Sequence, residues 1–217
     1  MRKHFCFLAF TLAFSCHVFA ATGKLEPVAP PKDSSVAQSV WQALSPNGYR
    51  VLLPDGSTVC DIWLRQSLPG TNKKETEGVL FPEIGESTLV GVISFPKATT
   101  DFRGDPVPAG FYTLRYALIP NDGNHLGVSQ NRDFLLLVPA GSDSDPGAQY
   151  KFQELVRLSS KTSNTKHPGP LSMVQADTVI PGVADDDQGH TILSVKVPLS
   201  SGDELPIGLI VKGTAAQ

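Results

Sequence analysis

Seven short runs of β-favouring residues, most of them separated by glycine or proline, follow one another through the 217-residue chain. Each run is rich in Val, Ile, Leu, Tyr and Phe, the residues that are enriched in strands. The runs cover residues 49–53, 58–65, 88–95, 111–119, 133–138, 191–197 and 206–211. The first two flank the turn sequence PDGS, which predicts a hairpin over residues 49–65. Only residues 147–160 have apolar side chains at helical spacing. The chain is therefore predicted to be all-β with one short helix.

Short strands at regular spacing, punctuated by turn residues, are typical of two antiparallel sheets packed face to face. The sequence thus predicts a single antiparallel β-sandwich of immunoglobulin-like or jelly-roll-like architecture. The segment VPAGFYTL, residues 107–114, resembles the strand that follows a Pro-Ala-Gly turn in immunoglobulin-like and carboxypeptidase-regulatory-like sandwiches. The segments DFRGDPVPAGFYTLRYALIPNDGNHLG, RDFLLLVPA and TKHPGPLSM lie within residues 47–175. Over this range the chain resembles a group of secreted proteins of environmental bacteria, and no functional residue can be transferred from that resemblance.

The N-terminus has the parts of a secretory signal peptide. Arg2 and Lys3 precede the apolar run FCFLAFTLAF, and Val18 and Ala20 occupy the −3 and −1 positions of a signal-peptidase site. Residues 1–20 are therefore predicted to be cleaved after Ala20, which indicates a secreted or periplasmic protein. A lipoprotein signal acylated at Cys16 is the weaker alternative, because a bulky phenylalanine stands where that signal needs a small residue.

Residues 21–39 are rich in Pro, Lys, Ser and Ala, and this composition predicts a flexible tether before a sandwich domain over residues 40–217. No segment of the mature chain has enough consecutive apolar residues to span a membrane. Loss of Arg2 and Lys3 changes the formal net charge from −3 to −5, and no basic run remains. Nucleic acid is therefore disfavoured as a partner, which leaves an unidentified ligand or an envelope protein.

The connection over residues 120–131 is the first candidate binding site. It is longer than the two to five residues of a tight hairpin, and it contains Asp122, Asn124 and His125. Binding sites on sandwiches commonly lie in the loops at one end of the fold. We therefore predict that this loop contacts a ligand or a partner.

Trp63 and Arg65 form a second candidate binding surface. They share one face of the strand 58–65 with Asp61, while Cys60, Ile62 and Leu64 face the other way. An aromatic ring beside polar groups suits a sugar ring or a peptide. The alternative is a tryptophan packed against a second sheet or against the tether, since large aromatic side chains are usually mostly buried.

Arg115 lies in a run, residues 111–119, that is apolar on both faces, which predicts a central strand. A buried arginine needs a carboxylate partner, because an unpaired buried charge is very costly. Asp133, at the start of the next strand, is the nearest carboxylate in the chain that can serve. The two are predicted to form a structural ion pair.

The metal-binding candidates are His125, His167, His190 and Asp122, all of which lie in loops. If they converge, they provide ligands for Zn, Cu or Ni, although no two histidines have ligand spacing. Acidic residues in the loops 141–147 and 184–190 offer oxygen ligands for Ca, but neither loop matches the EF-hand pattern. Zn or Ca is therefore a secondary prediction.

No Gly-x-Ser-x-Gly, His-Glu-x-x-His or phosphate-binding glycine loop occurs in the chain. We accordingly expect a non-enzymatic binding module. One alternative is a metal-dependent hydrolase with His125, His167 and Asp122 as ligands. The other is a structural subunit of an extracellular assembly, which predicts an exposed apolar patch and self-association.

Overall fold

The protein is described by a computed structural model that covers residues 23–71, 77–120 and 131–215. The strands are β1 (Lys24–Val28), β2 (Gly48–Leu52), β3 (Thr58–Leu64), β4 (Leu89–Phe95), β5 (Thr99–Thr100), β6 (Pro106–Val107), β7 (Gly110–Leu118), β8 (Asp133–Pro139), β9 (Gly169–Val174), β10 (Gly182–Asp185), β11 (Thr191–Pro198) and β12 (Glu204–Lys212). The helices are α1 (Gln38–Ala43), α2 (Phe152–Ser159) and a 3-10 turn over Ala140–Ser142. The all-β prediction is confirmed, as is a short helix within 147–160. No helix in the described ranges is long and apolar enough to cross a membrane.

Ten of the strands form one antiparallel sheet in the order β1-β2-β3-β4-β7-β8-β9-β12-β11-β10. The other two, β5 and β6, form a small separate hairpin. The outer strands β1 and β10 lie against each other, so the sheet is nearly closed into a barrel. The predicted sandwich is not confirmed. Alternating apolar residues in the sequence indicate that each strand has an inner face, but they do not indicate whether the sheet closes on itself.

The interior of the sheet is filled by apolar side chains from most of its strands. Ile62, Ile93, Leu114, Leu135 and Leu193 are among the buried members of this core cluster. Strand β7 is buried on both faces, as expected for a central strand. Its outer face therefore also needs a cover.

Two segments of the chain cover parts of the outer face of the sheet. The N-terminal segment and α1 place Val36, Val40 and Leu44 over the outer face of β3 and β4. Helix α2 places Leu155 and Leu158 over the outer face of β7 and β8. The polypeptide thus forms a layer of short helices and loops around part of the barrel.

The prediction of a flexible tether over residues 21–39 is wrong for much of this segment. Lys24–Val28 is strand β1, paired with β2 from Lys24↔Leu52 to Val28↔Gly48. An outer strand tolerates Pro27, because it has a partner on one side only. The chain between β1 and β2 has few large apolar residues. Those at positions 36, 40 and 44 recur every four residues, so they lie on one surface and pack against the sheet. The folded domain therefore begins well before residue 40.

Candidate functional site

The residues predicted for the long loop, Asp122, Asn124 and His125, lie outside the described residues. The structure does fix where this loop starts and ends. Strands β7 and β8 pair as far as Leu118↔Asp133, so Pro120 and Asn131 stand at one end of the barrel. The prediction that the loop binds a partner therefore stays a prediction.

The binding surface predicted around Trp63 is wrong, because that side chain is only 1% exposed. Its ring packs edge-to-face on Trp41 at 5.3 Å between centroids and lies 6.4 Å from Phe111, and its Nε1 donates to the carbonyl of Val28 at 3.3 Å. The neighbouring Arg65 donates from Nη1 to the carbonyl of Pro146 at 3.0 Å. The alternative, a tryptophan packed against the N-terminal segment, is confirmed.

The predicted pair of Arg115 and Asp133 is also wrong. Arg115 pairs with Asp143, through Nε at 2.8 Å and Nη2 at 2.7 Å, and both side chains are fully buried. Its other three N–H groups donate to the carbonyls of Ser87, Asp145 and Ala148. All five donors of the guanidinium group are therefore used within the protein.

Asp143 has as complete a set of partners as Arg115. Its carboxylate also accepts hydrogen bonds from Thr113 Oγ1 at 2.6 Å and from the hydroxyl of Tyr150 at 3.0 Å. Burial and the adjacent carboxylate raise the pKa of Tyr150 to about 12. The ring of Tyr150 lies 5.1 Å from the guanidinium carbon of Arg115. A saturated network of this kind fixes the 140–150 segment on the sheet and has no group left for a substrate.

Asp133 instead points into the barrel. It accepts hydrogen bonds from the backbone N–H groups of Leu80 and Phe81 and from the hydroxyl of Tyr116. The carboxylate therefore anchors the 77–81 segment across one end of the sheet. Its role is structural, as predicted, but with different partners.

His190 is not available as a metal ligand. Its Nδ1 lies 2.8 Å from Oδ2 of Asp186, and its Nε2 lies 2.9 Å from the carbonyl of Thr214. Burial opposes ionisation of Asp186, but hydrogen bonds from His190 and Gln188 hold the pKa of that carboxyl below its ordinary value. This cluster joins the C-terminal segment to the turn before β11.

The structure does not bring the other predicted metal ligands together. Among residues 23–71, 77–120 and 131–215, no three His, Cys, Asp or Glu side chains are placed to hold a metal ion. His167 is exposed and far along the chain from His190, while His125 and Asp122 lie outside these ranges. In the two acidic loops, the carboxylates of Asp143 and Asp186 already accept the hydrogen bonds described above. Asp145 accepts the backbone N–H of Gly147. The Zn and Ca predictions therefore have no support from the described residues.

An apolar cleft on the outer surface of the barrel is the strongest candidate for a functional site. It lies where β7 ends and β8 begins, beside α2 and next to Pro120. Its volume is about 110 Å³. The apolar side chains that line it are Phe102, Ala117, Ile119, Phe134, Leu136 and Phe152.

The hairpin β5–β6 carries Phe102 and Arg103 to this cleft. Its turn is closed by Asp101, whose Oδ1 accepts the N–H groups of Arg103 at 2.9 Å and Asp105 at 3.0 Å. Gly104 has a φ of 90°, which a glycine adopts without strain. Phe102 donates its N–H to the carbonyl of Pro170 at 2.8 Å, so the turn is fixed to β9. The position of Arg103 at the cleft thus depends on Asp101.

Asp101 is fully buried, and its Oδ2 has no hydrogen-bond partner in the described part of the chain. Burial raises the pKa of this carboxyl from 3.8 to about 6, although the two backbone hydrogen bonds oppose the change. Between about pH 4 and pH 6, Asp101 in the folded protein therefore still holds a proton that the unfolded chain has released. Stability from this group is highest below that range and falls as the pH rises through it.

Asp101→Asn should remove this pH dependence while keeping the acceptor for the turn. Relative to the natural chain, the variant should gain on the order of 2 kcal/mol between pH 4 and pH 8, because a pKa change of one unit corresponds to about 1.4 kcal/mol. Urea unfolding of both proteins at several pH values measures this difference directly. A difference that stays constant from pH 4 to pH 8 would show that Asp101 does not titrate in this range.

The opposite wall of the cleft is built by α2 and the segment after it. Leu155 is buried against the sheet, as predicted from the helical spacing, while Phe152 stands at the rim with 39% exposure. Ser159 ends the helix with a hydrogen bond from its Oγ to the carbonyl of Leu137 at 2.7 Å, and accepts the N–H of Gly169 at 3.0 Å. This contact brings the segment 166–170 back to the sheet, with His167 at the cleft.

The two ionisable side chains at the cleft are both basic, Arg103 and His167. Nε of Arg103 lies 3.5 Å from Oδ2 of Asp105, and the arginine side chain is 36% exposed. His167 hydrogen-bonds through its backbone, and no side-chain partner for its imidazole is found in the described ranges. An apolar hollow with a guanidinium group and an imidazole ring at its rim suits an apolar group that has a negative charge nearby.

Most of this cleft was not predicted from the sequence. The sequence predicts His167 as a metal ligand and Phe152 only as one of the apolar residues at helical spacing in 147–160. The one sequence signal for Phe152 was its place at the very start of an amphipathic helix. The helix can bury its apolar face without an aromatic residue at that position. Phe102 and Arg103 gave no signal, because their place depends on the contact between β5–β6 and β9.

No family model, no curated protein sequence and no solved structure matches this chain.

Proposed function

We propose that this protein is a non-enzymatic binding module whose cleft accepts one apolar side chain of a partner polypeptide. The observation that carries the proposal is the cleft itself, an apolar hollow bordered by a partly exposed Phe152. Binding sites on folded domains are typically concave and mostly apolar. The predicted loop 120–131 begins at the same place, at Pro120.

The size of the cleft favours a side chain over a small-molecule ligand. Sites for drug-sized molecules and cofactors have volumes of about 300–1,000 Å³. A cavity of about 150 Å³ accepts benzene, so a cleft of about 110 Å³ admits about four carbon atoms. A branched aliphatic side chain fits this limit. Buried polar groups suited to catalysis do not line the described part of the cleft.

We further propose that the protein acts outside the cytoplasm, in the periplasm or the cell exterior. The support is the signal-peptide pattern of residues 1–20, with cleavage after Ala20 in preference to acylation at Cys16. The partner is then an envelope or extracellular polypeptide. The resemblance to secreted bacterial proteins agrees with this location but adds no residue to the site.

Phe152→Asp should weaken binding at the cleft and leave the fold intact. An acidic residue in the first turn of α2 is favoured by the helix dipole, and the side chain is partly exposed already. We expect peptides of the form acetyl-Gly-Val-Gly-amide and acetyl-Gly-Leu-Gly-amide to bind the natural protein saturably. The variant should bind them at least about 10-fold more weakly, as expected for the loss of a central apolar contact. Titration calorimetry or fluorescence measures the affinities.

Gln153→Asp is the matched control, because it places the same charge one residue further along the helix and outside the cleft. It should bind the peptides like the natural protein. Acetyl-Gly-Ser-Gly-amide should not bind either protein. Equal binding of the serine and valine peptides, or equal loss in both aspartate variants, would contradict the proposal.

A further inference from the structure

We infer that the side chain received by the cleft is Val179 of a second copy of this chain. This inference rests on the proposed function and names its partner. Val179 is 66% exposed. Within the described ranges, Val179 and Phe152 are the two large hydrophobic residues that are exposed. One of these two residues borders a hollow, and the other projects from the surface. A projecting apolar group and an apolar hollow on the same molecule are complementary.

Val179 projects from a segment that is anchored on both sides. Before it, the N–H of Asp177 donates to Oγ of Ser194 at 2.9 Å. After it, the chain enters β10 at Gly182, which pairs with Ser194 of β11. The short stretch between these anchors holds the valine away from the sheet. Little conformational freedom is therefore lost when this side chain binds.

The size of the side chain agrees with the size of the cleft. Valine presents a branched group of three carbon atoms, and the 110 Å³ hollow admits about four. A bulkier projecting residue such as tryptophan would be excluded. The β-branched side chain also has few rotamers to lose on binding.

The charges beside the two surfaces are opposite. Asp177, two residues before Val179, is exposed and uses one carboxylate oxygen for hydrogen bonds with Thr178. The cleft carries Arg103 and His167 at its rim. Docking of the valine brings this carboxylate towards the basic rim. Such complementarity gives an interface its register and suppresses wrong partners.

The contact joins two different surfaces of the chain. Each copy then keeps a cleft and a valine, and association either closes reciprocally between two copies or continues into larger species. In both cases the mean mass must rise with protein concentration. The inference thereby gives a physical basis to the structural-subunit alternative that the sequence suggested.

Sedimentation velocity of the mature chain, residues 21–217, tests the inference. We expect the weight-average sedimentation coefficient to rise between about 10 µM and about 1 mM. Val179→Glu should remove this rise. Thr178→Glu is the matched control, because it adds the same charge at the neighbouring exposed residue and keeps the valine. The control should associate at least as strongly as the natural chain.

A charge exchange identifies the two surfaces. Asp177→Arg and Arg103→Glu should each weaken self-association when measured alone, by at least about 5-fold in the association constant. A mixture of the two variants should recover association, because a basic projection then meets an acidic cleft. Recovery in the mixture supports the inference. Unchanged association in either single variant would overturn it.

The outcomes separate this inference from the proposed function. A natural chain that stays monomeric at every concentration, but still binds the valine peptide through the cleft, would overturn the inference and leave the proposed function standing. Self-association that persists in Val179→Glu would also overturn the inference. Loss of peptide binding and of self-association in Phe152→Asp, with neither lost in Gln153→Asp, supports both.

Discussion

Replacing Arg115 with methionine should lower the free energy of unfolding by about 3–5 kcal/mol. The substitution leaves the carboxylate of Asp143 buried without its cation, and three backbone carbonyls lose their N–H donors. The cost comes from the uncompensated buried charge rather than from the net value of the ion pair. Urea or guanidinium unfolding followed by circular dichroism measures it.

Arg50→Met is the control for this prediction. Arg50 makes the same two-point contact with Asp61, through Nε and Nη2 at 2.8 Å each, but its side chain is 41% exposed. The same change should therefore cost no more than about 1 kcal/mol. If the two substitutions cost the same, burial of the Arg115 network would not be the reason for its effect.

The second large effect is expected for Trp63→Ala, which should cost about 3–5 kcal/mol. The substitution opens a cavity under the N-terminal segment and removes the hydrogen bond to Val28. Gly48 lies directly against the indole ring and has no side chain that could fill the space left by it. Denaturant unfolding followed by far-ultraviolet circular dichroism gives the value without relying on the lost fluorophore.

Trp63→Ala should also expose the segment 28–44 to proteases. In the natural chain Val40 and Leu44 lie buried against the indole. Limited proteolysis should therefore cut the variant within this segment before the barrel is attacked. Resistance equal to that of the natural protein would mean that other contacts hold the segment in place.

Local features of the fold could be predicted from the sequence. The hairpin over residues 49–65 is present as β2 and β3, with Asp55 capping the N–H of Ser57 and Gly56 at a φ of 82°. Turn chemistry and strand alternation act over a few residues, so one sequence is enough to detect them. The helix in 147–160 was detected for the same reason.

The partner of Arg115 could not be found by proximity in the chain. Strands β7 and β8 pair with Leu118 opposite Asp133, and cross-strand partners share a face of the sheet. Arg115 is an odd number of residues from Leu118, so it faces outwards while Asp133 faces inwards. The true partner, Asp143, lies in a segment whose position depends on the whole outer layer. Near-closure of the barrel is equally non-local, because it joins strands from the two ends of the chain.

The candidate site is the least predictable part for the same reason. Its walls come from five separate stretches of sequence, and each stretch looks ordinary by itself. The sequence predicts a binding loop that begins at Pro120, and Pro120 borders the cleft. It did not indicate that Phe152, His167 and the hairpin β5–β6 meet there.

The most direct test of the proposed site is to map where the valine peptide binds. Two-dimensional NMR of isotope-labelled protein comprising residues 21–217, titrated with acetyl-Gly-Val-Gly-amide, reports this residue by residue. The proposal predicts that the largest shift changes cluster at Phe102, Ile119, Leu136, Phe152 and His167. Changes centred elsewhere, for example in the hollow beside Trp41 or the one beside Leu205, would contradict it, as would the absence of saturable changes.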